Sequence, residues 1–205
     1  MICLGCRSWS KDAVCESCTR RSARGGTQRL PCGLLVRSAF VHDGAPRDLV
    51  HRLKFEGLIP AARWLAQHMA PLLDGLPGVL VPVPRTPVRR LRFGVDAALA
   101  LAEALGSATG RPVRKWLRAP VWAPGHTARK STRRRSPFFF SRAAIGPILL
   151  IDDVITTGST LQAAATQLNG LAVGAATATR TVKVTSLLGE EISGPLYQSE
   201  LPDRR

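Results

Sequence analysis

Aromatic residues are scarce in this chain of 205 residues: six Phe, four Trp and one Tyr make up 5 % of it. A surface that stacks many unpaired bases needs more rings than that, so base stacking is limited. Long apolar runs are missing as well. The longest candidate, Ile145 to Ile151, runs straight into Asp152 and Asp153, well short of the roughly 18 apolar residues of a membrane span. No basic stretch followed by an apolar one opens the chain, so we expect no signal peptide, no membrane insertion and a cytoplasmic location. Acidic residues are few, 14 Asp and Glu against 29 Lys and Arg, a formal charge of +15. The remaining composition, 45 % hydrophobic and 21 % charged, excludes wholesale disorder and leaves room for one medium domain with a small appendage.

An excess of cations attracts nucleic acid or phosphorylated ligands. An arginine-rich composition accounts equally well for the scattered ones. The clusters Arg89–Arg90–Arg92 and Arg129–Lys130–Arg133–Arg134–Arg135 are too concentrated for that reading alone.

Four of the five cysteines stand in the first 18 residues, as Cys3-x2-Cys6 and Cys15-x2-Cys18. Two thiolates on one tight turn face the same metal, and two such turns complete a tetrahedral zinc shell. A disulfide pair is disfavoured in a reducing compartment. Cys32, beyond a Gly/Arg-rich link from Arg20 to Arg29, reads as a buried or incidental thiol.

Beyond the link, alternation and turn residues predict strands over 34–41, 79–83, 112–117, 148–151 and 172–181. Apolar spacing of three and four predicts helices over 48–55, 60–73, 95–105 and 159–168, with Asp43–Gly44 a turn and Gly106 a helix end. From 118 to 136 Pro, Gly, Ser, Thr and Arg dominate, which predicts a loop, and 186–205 reads as a flexible tail. Strands alternating with helices imply a parallel sheet covered on both faces.

The run Ile148 to Thr160 (ILLIDDVITTGST) carries the chemistry. A buried strand delivers Asp152 and Asp153 to its C-terminal end, where open α/β sheets bind ligands. Adjacent carboxylates need donors or a cation, which a ribose diol and a magnesium ion supply. Thr156, Thr157, Gly158, Ser159 and Thr160 then open a helix, and hydroxyls and free N–H groups at a positive helix end cradle phosphate. Diol binder and phosphate binder together describe a ribose 5-phosphate clamp.

This run resembles the phosphoribosyl-pyrophosphate signature of type I phosphoribosyltransferases. With the cysteine pairs, Asp48 to Gly57 (DLVHRLKFEG), Val81–Pro82–Val83–Pro84–Arg85 and Arg92–Phe93–Gly94–Val95–Asp96, the pattern is similar to the competence-associated ComF family up to about Thr181. The resemblance implies a type I phosphoribosyltransferase-like α/β domain over 33–185, preceded by a zinc ribbon and linker over 1–32. It further implies Mg2+ with phosphoribosyl pyrophosphate, Asp152 and Asp153 as catalytic groups on the ribose hydroxyls, and Thr156 to Thr160 on the 5-phosphate. Lys54, Arg85 and Arg129 or Arg133 are candidates for the pyrophosphate, although Lys54 reads equally well as a solvated helix cation and Arg85 as a strand-end cap. Neither His51 nor His126 has an identifiable carboxylate partner, so neither is assigned as a base. Residues 125–138 depart from the family pattern, lacking its glutamine and its arginine–asparagine pair. The alternative is a non-catalytic accessory protein that handles single-stranded DNA during uptake, with a competence helicase as partner.

Overall fold

The structure, a computed structural model, describes residues 1–84, 95–119, 139–140 and 144–182. The predicted loop over 118–136 lies almost wholly outside these residues, as do Arg85, both arginine clusters, His126 and the tail. The described chain is α/β, with a five-stranded, mostly parallel sheet.

Strand β1, Arg24–Arg29, pairs antiparallel with β2, Leu35–Val41. β2 pairs parallel with β7, Ala172–Arg180, which pairs parallel with β6, Ile148–Ile155. β6 in turn pairs parallel with β3, Val79–Pro82. A separate ladder joins β4, Leu117–Arg118, to β5, Phe139–Phe140. The segment read as a link is therefore partly a sheet strand. Gly25 permits that pairing, because a β-carbon there would meet the Ser38 carbonyl oxygen at 2.6 Å. The strand expected over 112–117 reduces to one parallel bridge, Leu80 to Val113, before β4 begins.

A short helix α1, Glu16–Arg20, closes the N-terminal segment. Helix α2, Gly44–Glu56, starts earlier than the apolar spacing implied, so Gly44 is its first residue and Asp43 its N-cap. Leu49, Val50 and Leu53 form its buried face. Helix α3, Ile59–Met69, buries Leu65, Ala66 and Met69 and continues as a 3-10 turn over Ala70–Leu73. Helix α4, Ala97–Thr109, is opened by Asp96, whose side chain accepts from the Leu99 N–H at 3.3 Å. It runs past Gly106, which does not end it. That residue is small because a β-carbon there would sit 2.8 Å from Val113 Cγ2.

The predicted covering of both sheet faces is seen, unequally. One core joins α2, α3 and α4 to Leu80, Leu149, Ile151, Ala176 and Ala178. The other joins α5, Ser159–Gln167, to Val81, Ile148, Leu150 and Ala175. Leu149 and Ile151 thus face one layer and Ile148 and Leu150 the other, as the two-residue period of a strand requires. Each such side chain, fully buried, contributes about 1.5–3 kcal/mol. No helix among the described residues is long and apolar enough to cross a membrane.

Candidate functional site

Two polar constellations stand out. The first is the N-terminal cysteine group. The sulfurs of Cys3, Cys6, Cys15 and Cys18 lie within 4.8 Å of one another, with Cys3 to Cys18 at 4.0 Å and Cys6 to Cys15 at 3.7 Å. Four sulfurs at about 2.3 Å from a tetrahedral ion stand about 3.8 Å apart, so the set has the size of a metal shell. The N–H groups of Gly5 and Cys15 donate to Cys3 Sγ at 3.4 and 3.2 Å, which stabilises a thiolate. Burial pushes the Cys3 thiol up, but these donors and the Cys6 N–H outweigh it and hold the group below the usual thiol range. Cys6, hydrogen-bonded by Ser8, is lowered to about 6, whereas burial and the neighbouring thiols raise Cys18 to about 12. Four thiols so close cannot all ionise without a cation, and the donor set suits a metal ion such as zinc. Cys32 is exposed, contrary to the buried alternative considered for it.

The second constellation lies at the C-terminal ends of β2, β6 and β7. The strand expected to stop at Ile151 runs to Ile155, so both aspartates stand inside it and their side chains alternate. Asp152 lines a small concavity with Thr156, Thr157, Gly158, Ser159 and Thr160. Asp153 is buried, and its Oδ1 lies 2.8 Å from Lys54 Nζ of α2. The Asp153 N–H donates to Asp152 Oδ1 at 2.8 Å. Lys54, a candidate for pyrophosphate, is thus engaged with Asp153.

The turn that follows has the predicted form. Gly158 sits at φ +75°, a left-handed conformation that suits glycine, and caps α5. A β-carbon there would collide with Leu30 Cδ2, so the space is taken by the leucine after β1. The Thr157 hydroxyl donates to Ser159 Oγ at 3.1 Å and accepts from the Ser159 N–H at 3.4 Å. The first intrahelical bond is Gln162 N–H to the Gly158 carbonyl, so the N–H groups of Thr160 and Leu161 have no carbonyl one turn back.

Beside the aspartates runs a polar chain that no motif in the sequence signals. The Thr177 hydroxyl donates to the Thr179 carbonyl at 3.2 Å, so Ser38 Oγ, 2.7 Å away, donates to Thr177. The Thr179 hydroxyl donates to the Asp153 carbonyl at 3.4 Å, which makes His42 Nδ1 the donor to Thr179 at 2.8 Å. That bond assigns the Nδ1–H tautomer and leaves Nε2 with its lone pair. Burial, helped by Lys54 and Arg47 and opposed by Asp153 and Asp43, lowers the His42 pKa. His42 carried no periodic or motif signal, since it simply follows the last residue of β2. His51 is exposed on α2 with its ring 4.4 Å from that of Phe55 and takes no part in either constellation.

Compared with family models and with curated proteins, the sequence matches none of them.

Proposed function

We propose that the chain is a ComF-like, type I phosphoribosyltransferase-like protein. In this reading it binds magnesium phosphoribosyl pyrophosphate at the ends of β6 and β7 and transfers phosphoribose to a nitrogen acceptor. What carries the reading is one juxtaposition: Asp152 and the Thr156–Thr160 turn line the same concavity at the start of α5. Such a place combines an acceptor for ribose hydroxyls with N–H groups and a helix dipole for a 5-phosphate. In transfer, the acceptor nitrogen attacks C1, the C1–oxygen bond to pyrophosphate breaks, its electron pair leaves with pyrophosphate, and the nitrogen gives its proton to water. Positive charge gathers on the ribose, and Asp152 stabilises it. Asp153, neutralised by Lys54, fixes the strand end from which Asp152 projects. Magnesium, when bound with the donor, supplies positive charge against the leaving pyrophosphate. Zinc is the ion we assign to the cysteine group.

Calorimetric titration with magnesium phosphoribosyl pyrophosphate tests the reading. Wild type is expected to bind, and Asp152→Asn to lose affinity at least tenfold, because a charge-assisted hydrogen bond contributes about 1.5–3 kcal/mol. No binding to wild type, or equal affinities, would sink it. A screen of nucleobases and amines for pyrophosphate release then identifies the acceptor.

A second reading is weak binding of single-stranded DNA by the cysteine ribbon and the basic surface. It is favoured by Trp9, 85 % exposed on a ribbon whose Ile2 pairs with it across an antiparallel bridge. An exposed indole offers one stacking platform, and affinity should fall steeply with salt, with a slope near about −0.7 per phosphate neutralised. Binding indifferent to salt, or unchanged in Trp9→Ala, would dismiss it.

A further inference from the structure

β7 ends on Arg180, whose main chain is wedged between two other strand ends. Arg180 is in register with Val41 of β2 and Ile155 of β6, and its carbonyl accepts from the His42 N–H at 2.7 Å. Ile155 is the residue from which the chain enters the Thr156–Thr160 turn, so the arginine is rooted beside the clamp. Its Nε is enclosed and has no hydrogen-bond partner, the one buried side-chain nitrogen or oxygen in that condition among the described residues. None of the ion pairs found among those residues includes Arg180. A β-carbon added at Gly26 of β1 would stand 3.9 Å from its Nη1, an ordinary contact. Asp153, the buried carboxylate of the site, is engaged by Lys54.

An enclosed N–H donor without an acceptor is a standing cost to the folded state, and the cost is greater on a cation that lacks a counterion. Guanidinium forks match the two oxygens of a carboxylate or phosphoryl group, and strand C-termini are where open α/β sheets receive ligands. We propose that Arg180 is a second oxyanion anchor of the strand-end site, gripping a group other than the 5-phosphate on the small molecule bound there. The anchor deepens the phosphoribosyl reading and rests on it for the ligand's nature. Two sources carry the required chemistry: the diphosphate of the donor and a carboxylate on the acceptor.

The test is calorimetric titration of full-length wild type, Arg180→Met and Arg180→Lys in magnesium buffer. Four probes are used: ribose 5-phosphate, phosphoribosyl pyrophosphate, inorganic pyrophosphate and nicotinate. Arg180→Met is expected to lose at least tenfold in affinity for a diphosphate or carboxylate probe while binding ribose 5-phosphate as wild type does. Arg180→Lys recovers only part, because an ammonium has no fork. A loss confined to the two diphosphates assigns the donor, and a loss confined to nicotinate assigns the acceptor. The unliganded Arg180→Met protein should unfold at the wild-type midpoint or above it, since the replaced nitrogen has no partner to lose. A lower midpoint marks a structural arginine and overturns the anchor. Unchanged affinity for every probe, a loss shared by ribose 5-phosphate, or no binding of diphosphate and nicotinate to wild type does the same. The clamp reading fails separately, if neither ribose 5-phosphate nor phosphoribosyl pyrophosphate binds wild type. Arg180-dependent binding of inorganic pyrophosphate would still uphold the anchor in that case.

Discussion

Lys54 Nζ lies 2.8 Å from Asp153 Oδ1, and the two side chains are only 18 % and 8 % exposed. The pair joins α2 to the end of β6. Removing one partner of a buried pair leaves the other charge uncompensated, so Lys54→Met is expected to cost about 3–5 kcal/mol of unfolding free energy. Adding Asp153→Asn to it should restore most of that, because no charge is then stranded. Urea unfolding of the variants measures both, and a single-variant loss below about 1 kcal/mol would class the pair with exposed ones.

His42 gives a signature in pH. Its folded pKa lies below the ordinary 6.5, so the unfolded chain holds the extra proton as pH falls. The histidine's contribution to stability is therefore whole above pH 6.5 and is lost as acid titrates the unfolded imidazole. His42→Asn should flatten the stability profile just below neutrality, while Lys54→Met should move the His42 titration upward by removing a nearby cation. Both are read from the imidazole proton resonances and from denaturation at stepped pH.

Gly158→Val should damage the turn without any ligand present. Its backbone sits at φ +75°, and the added β-carbon meets Leu30, so strain and a clash combine. Gly158→Ala meets the same two obstacles with less bulk. Combining it with Leu30→Ala should relieve the clash but not the strain, a partial rescue visible in thermal unfolding. Full rescue would leave no role for the backbone angle.

The cysteine group should bind one zinc per chain, lost on chelation or in Cys15→Ser. Segments this short bury too little to fold alone, so metal loss should loosen residues 1–20 while β6 and β7 keep their amide protection. Metal analysis with hydrogen exchange checks this, and zinc-free protein with four reactive thiols would refute it.

What was legible in the sequence was local. Unbroken apolar Ile148 to Ile151 announced a central strand, and the Thr-Thr-Gly-Ser-Thr turn announced the start of a helix, because both signals sit within a few residues. β1 was not legible: Gly25 and Gly26 carry no strand propensity, and the pairing depends on how closely β2's backbone approaches. The continuation of β6 past Ile151 was hidden because paired aspartates look like a strand end. That continuation sends Asp153 toward Lys54 and Asp152 toward the turn. The roles of Lys54 and His42 depend on contacts with strands distant in the chain, which no spacing rule reports.

The sheet also sets an order of assembly. β2 meets its parallel partner only in β7, where Ser38 and Thr177, 139 positions apart, exchange a hydrogen bond. On a ribosome, the hairpin of β1 and β2 can close early, but its inner edge stays open until almost the whole described chain has emerged. Among the described strands, that edge has no other neighbour. Nascent chains stalled before Ala172 would expose it and invite pairing with other chains, so shielding by a chaperone matters most late in synthesis.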